Sequence, residues 1–321
     1  MSDLPKSVRI NEEGPREGFQ FEKGPIATAR KIELIDSLSK TGLKQIQTVS
    51  FVPPQNVPGM ADADDVVKGF TRAPGVRYTG LWLNDKGLQR ALSSGKLDVT
   101  GTLSLTASEK FLLRNQKRTL KENIEAQHAM VKMYQANKVP VERAGLMAAF
   151  GCNFEGDIPV AHVVDMVGQM LDIGAQYRLD LKVVSLADTM AWATPLSIKR
   201  VVGAVRDKFP QLQISLHLHD TRGMGVANAY AGLEMGVAIY DAAVAGLGGC
   251  PFAAHRGAAG NVCTEDLVFM CEEMGIATGV DLEKLIESAV LAEAVVGHPL
   301  PGCVAKGGTL AKLRERVRLG A

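Results

Sequence analysis

Apolar and polar positions follow one another in a regular order along the chain. Short runs of β-branched and apolar residues have the length and composition of strands, and they lie at residues 8–11, 45–49, 76–83, 97–105, 141–148, 179–186, 213–218 and 239–245. A segment with apolar residues at helical spacing follows each run, at residues 26–40, 63–70, 86–93, 109–137, 162–173, 196–208, 226–235 and 265–274. The pattern therefore predicts eight successive βα units.

This order favours an α/β fold of the (β/α)₈ TIM-barrel class. Parallel strands need a crossover between them, and eight such strands can close on themselves. A doubly wound open sheet is the alternative, but no GxGxxG follows the first strand and polar residues follow many strands. Two more helical segments follow, at 281–296 and 309–319. We expect one domain over residues 1–321, with a barrel at about 7–276 and a C-terminal helical extension at about 277–321.

Composition agrees with a globular enzyme and argues against several other classes of protein. Hydrophobic residues make up 46% of the 321 residues, which is enough to bury a large core. A net charge of +1 gives no strong field for nucleic acid or an anionic membrane, so neither partner is expected. Five cysteines without a CxxC pair, and a start without an apolar signal segment, favour free thiols and a cytoplasmic location.

Two histidines in the seventh predicted strand carry the clearest chemical signal. Because side chains alternate along a strand, His217 and His219 project to one face, and Leu216 and Leu218 project to the other. Neutral imidazole binds transition metals and, with help from carboxylates, harder ions, so the pair is a candidate metal site. The alternative is a pair of interior histidines that are hydrogen-bonded in the barrel core, where each buried ring would need its own partners.

Other reactive side chains follow the predicted strands, where the catalytic groups of such barrels lie. They are Arg16, Glu17 and Gln20 in the predicted loop 12–25, Gln47 and Ser50 after the second strand, Cys152 after the fifth, Asp188 after the sixth, Cys250 after the eighth, and Asn261 before the next helix. Asn261 could offer an amide oxygen to a hard metal, although its position alone favours a helix cap. Arg16 could instead form a surface ion pair with Glu12 or Glu17, and Cys250 could be an inert packed thiol.

Three motifs together resemble the 3-hydroxy-3-methylglutaryl-CoA lyase family. They are Gly14-Pro15-Arg16, His217-x-His219-Asp220-Thr221 and Ala245-Gly246-Leu247-Gly248-Gly249-Cys250-Pro251. The resemblance runs from about residue 8 to about residue 287 and implies a metal-dependent barrel lyase related to isopropylmalate synthase. Such an enzyme cleaves a 3-hydroxyacyl-CoA to acetyl-CoA and a keto acid. An acyltransferase of the same superfamily and a barrel that binds CoA or metal without turnover are the alternatives, and the thiol of the third motif favours the lyase.

The resemblance also implies roles for individual side chains. Glu17, His217, His219 and Asn261 would hold Mg²⁺ or Mn²⁺, the catalytic set would be Arg16, Asp188, His217 and Cys250, and the substrate would contact Arg16, Gln20, Gln47, Ser50 and Arg143. Within this set Arg16 would face the thioester carbonyl, and Cys250 would transfer a proton. Glu12 would lie near the barrel mouth. The partner would be an acyl-CoA substrate, and a homodimer is expected.

Two positions depart from the family pattern. The metal carboxylate, normally Asp in the family, is Glu17 here, and an acidic position after the second strand is Gln47. The longer carboxylate shifts either the metal or its loop, and Gln47 is expected to remove a negative charge from the barrel mouth. We therefore expect a preferred substrate other than the methylglutaryl ester, such as citramalyl-CoA or a longer branched analogue.

Overall fold

The structure, a computed structural model, describes residues 4–22, 24–249 and 260–320. Its eight strands are β1 Arg9–Glu12, β2 Gln45–Ser50, β3 Arg77–Leu81, β4 Gly101–Thr106, β5 Val141–Met147, β6 Val183–Ala187, β7 Gln213–His217 and β8 Ile239–Ala242. Each overlaps one of the eight predicted runs, so the predicted βα order is confirmed.

The strands form a single parallel sheet in the order β3-β2-β1-β8-β7-β6-β5-β4. The pairing of β1 with β8 curls the first strand against the last, as a (β/α)₈ barrel requires. Between β3 and β4 the described residues form no ladder, and the backbone N–H of Asp98 donates to the carbonyl of Tyr78 over 2.7 Å instead. The register sets Glu12 beside Ala242 and His217 beside Asp241, so the carboxyl ends of β1, β7 and β8 meet.

The helices lie between the strands in sequence. They are Thr28–Leu38, Ala63–Gly69, Asp85–Ser93, Glu109–Gln116, Leu120–Ala136, Val160–Gln176, Pro195–Lys208, Gly225–Glu234, Thr264–Glu273, Leu282–Val296, Val304–Gly307 and Leu310–Leu319, with short helical turns at Phe19–Phe21, Pro58–Met60 and Val244–Gly246. One hydrophobic core joins strand residues such as Ile46 and Leu103 to helix residues such as Leu34 and Val202. Burying each such side chain contributes roughly 1.5–3 kcal/mol to folding.

The prediction of one helix over residues 109–137 is wrong, because the segment forms two helices. Lys117 adopts a left-handed conformation with φ of 56°, which ends the first helix. Thr119 then caps the second helix through a reciprocal capping box with Glu122. The Thr-x-x-Glu pattern was readable in the sequence, but high helix propensity on both sides concealed it.

Two other features bear on the sequence predictions. The segment predicted as a loop after β1 contains a π-helical turn, Gly14–Gly18, and this turn carries Arg16 and Glu17. In the described part of the chain, no helix combines the length and the apolar character that a membrane span requires.

Candidate active site

The carboxyl ends of β1 and β7 bring the predicted metal-binding side chains together. His217 is the last residue of β7 and His219 follows it on the same face, with 5.1 Å between the ring centroids. The turn Gly14–Gly18 folds back from β1 and sets the Glu17 carboxylate against both rings. Its oxygens lie 3.2 Å from Nε2 of His219 and 3.8 Å from Nε2 of His217.

Each histidine is oriented through its other ring nitrogen. Nδ1 of His219 lies 2.7 Å from the backbone carbonyl of Asp188, and a carbonyl only accepts, so Nδ1 carries the proton. Nδ1 of His217 lies 3.5 Å from a carboxylate oxygen of Asp241. Both rings therefore direct Nε2 toward Glu17, the arrangement by which oxygen partners orient metal-binding histidines.

Asn261 completes this cluster and does not cap the following helix. Its amide nitrogen donates to Glu17 and to the carbonyl of Leu247, each over 3.0 Å, while the helix begins at Thr264 with Cys263 at its N-cap. Its oxygen is buried and has no hydrogen-bond partner among the described residues. The cap interpretation of Asn261 is therefore wrong.

The donor set fits a divalent cation. One ligand atom from each of Glu17, His217 and His219 lies within 4.8 Å of the others. The Asn261 amide contacts Glu17 through its nitrogen, and its oxygen has no partner among the described residues. A carboxylate, an amide oxygen and two imidazoles suit Mg²⁺ or Mn²⁺. Gly248, with φ of +87°, allows this close packing, because a Cβ there would lie 2.6 Å from the Asn261 amide nitrogen and 2.9 Å from Cγ of Glu17.

The charges of the cluster reinforce one another. Burial alone would raise the pKa of Glu17, but Arg16 and the two histidines lower it well below its usual range, so the carboxylate is ionised. Burial acts to lower the pKa of His217, but the hydrogen bond to Asp241 and the charge of Glu17 outweigh it and raise that pKa. A cation that bound Nε2 of His217 would compete with a proton, so its affinity would fall in acid.

Arg16 lies beside the cluster with its guanidinium held on three sides. Nη2 donates to Glu13 over 2.6 Å, Nη1 lies 3.0 Å from Glu17, and Nε donates to the amide oxygen of Gln47. The side chain is 14% exposed, so this is not a surface ion pair. Glu12 does not contact it, because the Glu12 carboxylate accepts from the backbone of Gly14 and Val244 and from Thr264.

A buried polar layer lies next to His217. Asp241 accepts from Asn11 over 2.8 Å and from Arg143 over 2.5 Å, and Arg143 also donates to Ser185 over 2.9 Å. Burial would raise the pKa of Asp241, but Arg143 and His217 outweigh it and lower it. Arg143, predicted to contact substrate, thus holds the carboxylate that faces His217.

The other predicted residues fall into two groups. Asp188 orients His219 through its carbonyl, while one carboxylate oxygen accepts from the backbone of Trp192 and Ala193, and the other is buried without a partner among the described residues. Burial raises the pKa of this carboxyl to about 6. The second group makes other contacts: Ser50 donates to Gln20 over 3.1 Å, and Cys152 is buried 3.0 Å from Ser108 Oγ. Cys250 lies outside the described residues.

Sequence reasoning missed Glu13 and Asp241. Both are carboxylates in segments that are otherwise buried, and a buried carboxylate needs a partner. That rule could have marked Asp241, because it interrupts the apolar eighth strand. It could have marked Glu13 less clearly, since the neighbouring Glu12 and Glu17 offer the same chemistry.

Comparison with known proteins identifies a matching family and several similar proteins. A family model described as HMGL-like matches residues 7–291. The mitochondrial hydroxymethylglutaryl-CoA lyase of Homo sapiens is 41% identical over 288 residues, which cover 90% of this chain and 85% of that protein. The crystal structure of the Bacillus subtilis HMG-CoA lyase superposes with a TM-score of 0.87 at 38% identity, covering 95% of this chain and 98% of that one. An Acinetobacter baumannii HMG-CoA lyase in complex with coenzyme A and 3-methylmalate has a TM-score of 0.85 at 38% identity, covering 96% and 97%.

Proposed function

The chain belongs to the HMGL-like family and is a carbon–carbon lyase of the hydroxymethylglutaryl-CoA lyase type, and we propose that it cleaves a branched 3-hydroxyacyl-CoA to acetyl-CoA and a keto acid. The observation that carries the proposal is the meeting of Glu17, His217, His219 and the unpartnered Asn261 oxygen beside Arg16. The small-molecule partner is thus an acyl-CoA. A homodimer and a cytoplasmic location stay predictions.

We propose that these four side chains hold Mg²⁺ or Mn²⁺. The chemistry that such a cation supplies is a lowered pKa of the substrate's 3-hydroxyl group. One carboxylate oxygen of Asp188 has no partner among the described residues, and burial raises the pKa of this carboxyl to about 6, which suit it to accept that proton near neutral pH. Asp241 acts through His217, whose ring it orients.

Arg16 is proposed to stabilise the charge that the cleavage creates. When the C2–C3 bond breaks, C3 becomes a ketone and the electron pair passes through C2 to the thioester oxygen, giving an enolate. A guanidinium has five N–H groups, and the three contacts of Arg16 leave one on each terminal nitrogen for that oxygen. Donors placed where charge develops favour the transition state over the ground state.

Cys250 is proposed to return a proton to C2 of the enolate. Replacing it by serine keeps the size but raises the side-chain pKa, so we expect kcat to fall by about 10²-fold or more with little change in KM. Steady-state kinetics of Cys250→Ser, with the exposed Cys303→Ser as control, measure this. A near-normal rate in Cys250→Ser would reduce the thiol to packing.

The acyl group is proposed to differ from methylglutaryl, with citramalyl-CoA or a longer branched analogue as the preferred ester. The relative crystallised with 3-methylmalate is consistent with a malate-like acid in such a barrel. The negative charge expected to be lost at Gln47 is replaced, because Glu13 supplies a carboxylate to the same guanidinium that Gln47 contacts. The preference now depends on Glu17, whose extra methylene moves the ligand oxygen relative to the thioester.

The test compares kcat/KM for 3-hydroxy-3-methylglutaryl-CoA and citramalyl-CoA by following acetyl-CoA in the presence of Mg²⁺. The parent should favour citramalyl-CoA, and Glu17→Asp should move the preference toward the methylglutaryl ester. If the parent already favours the methylglutaryl ester, the departure at Glu17 is neutral. If no branched 3-hydroxyacyl-CoA yields acetyl-CoA, the proposed substrate class is wrong.

A further inference from the structure

The three partners of Arg16 differ in what they can offer it. Gln47 is neutral, and Glu17 turns its other oxygen toward His219 and Asn261. A carboxylate that also ligates a divalent cation shares its charge with that cation. Glu17 alone therefore cannot compensate the guanidinium once the cluster is loaded.

Glu13, unlike Glu17, is not one of the candidate metal ligands. Its side chain is 5% exposed and makes the shorter of the two carboxylate contacts with Arg16, 2.6 Å against 3.0 Å for Glu17. The nearby carboxylate of Asp241 is already taken up by Arg143 and Asn11. Among the described residues, Glu13 is thus the carboxylate partner of Arg16 outside the metal cluster; burial raises the pKa of Glu13, and the charge of Arg16 acts against that rise.

The backbone holds Glu13 in this place. Its N–H donates to the carbonyl of Ala242 at the end of β8, over 2.8 Å, and its own carbonyl accepts from the N–H of Glu17 over 2.8 Å. These bonds join the carboxyl end of β8 to the turn that carries Arg16 and Glu17. The position of the Glu13 carboxylate is therefore set by the barrel and not by a free loop.

We propose that Glu13 is the positioning residue that fixes the Arg16 guanidinium for the reaction, an inference that rests on the proposed role of Arg16. The Arg16 guanidinium donates to Glu13 through Nη2 and to Gln47 through Nε. These two contacts keep the guanidinium in one orientation whether or not Glu17 ligates a cation. The negative charge at Glu13 and the neutral amide at Gln47 act as a pair. Moving the carboxylate from position 13 to position 47 should keep the same total charge on the side chains that contact Arg16.

The test uses Glu13→Gln, Gln47→Glu and the double variant Glu13→Gln/Gln47→Glu in the full chain. Glu13→Gln should lower kcat about tenfold or more with KM changed by less than about threefold, because a misplaced group affects the transition state more than binding. The double variant should recover most of that loss. Affinity for Mn²⁺ should stay within about tenfold in all three, since Glu13 is not a ligand.

A second readout does not depend on activity. The Nε–H signal of Arg16 in a ¹H–¹⁵N spectrum, identified by its loss in Arg16→Lys, should exchange slowly with solvent in the parent, faster in Glu13→Gln, and slowly again in the double variant. Glu33→Gln is the matched control, because Glu33 pairs with Arg30 at the same i,i+3 spacing on the surface.

The outcomes separate this inference from the proposed function. Faster Arg16 exchange in Glu13→Gln, in a protein whose parent cleaves none of the branched esters, would support the positioning role and reject the proposed substrate. An unchanged kcat and unchanged exchange in Glu13→Gln would overturn the positioning role and leave the lyase standing. A double variant as slow as Glu13→Gln, with Arg16 still exchanging fast, would show that the carboxylate acts at position 13 for a reason other than charge on Arg16.

Discussion

Replacing His219 by alanine should remove most of the affinity for divalent cations and lower lyase activity by at least about 10³-fold, a loss of several kcal/mol in transition-state stabilisation. The physical reason is the geometry of the ring, whose Nδ1–H is fixed by the Asp188 carbonyl so that Nε2 faces Glu17. Alanine removes the ligand and leaves Glu17 with one histidine. Titration with Mn²⁺ followed by electron paramagnetic resonance measures the affinity, and an acetyl-CoA assay measures the rate.

The matched control is His128→Ala. It removes a half-buried histidine that shares a hydrogen bond with Tyr177, and neither residue belongs to the metal cluster. It should change neither Mn²⁺ affinity nor rate by more than about twofold. The fold should survive His219→Ala, because residues at the carboxyl ends of barrel strands serve function more than stability. Full Mn²⁺ binding by a folded His217→Ala/His219→Ala double variant would exclude this metal site.

The sequence predicted the eight strands well because their signal is local. A buried parallel strand needs only a short run of apolar residues, and each run here is followed by helical spacing. The divided helix was missed since helix propensity is high on both sides of Lys117, while the competing signals are one left-handed residue and one capping box. Local patterns therefore identified the elements better than their ends.

Side-chain partners were harder to predict than strands. The face that carries His217 and His219 follows from strand periodicity, but the partners of each ring come from distant segments. Asp241 and Asn11 are 230 positions apart in sequence yet share a hydrogen bond, and periodicity contains no information on such a pair. Asn261 illustrates the same limit, because a cap and a ligand look identical until the buried contacts of the amide are known.

Replacing Arg16 should have the second large effect, and two substitutions separate its charge from its shape. Arg16→Met keeps a long stem without charge and should lower kcat by about 10³–10⁴-fold, because both remaining donors to the enolate oxygen are lost. Arg16→Lys keeps the charge, but a point-like ammonium cannot contact Glu13, Glu17 and Gln47 together, so it should recover only a small part of the rate.

The two variants should also differ in stability and in metal affinity. Arg16→Met leaves Glu13 and Glu17 as buried carboxylates without their counter-charge, which costs about 3–5 kcal/mol of unfolding free energy without metal. Part of that loss should return on adding Mn²⁺, since a cation at Glu17 replaces the missing positive charge, and affinity for Mn²⁺ should rise above the parent value. Thermal unfolding with and without Mn²⁺ measures this, with Arg30→Met at the exposed Glu33 pair as control. If Arg16→Lys retained the parent kcat, the positive charge at this position would be sufficient, and the planar geometry of the guanidinium would not be needed for the reaction.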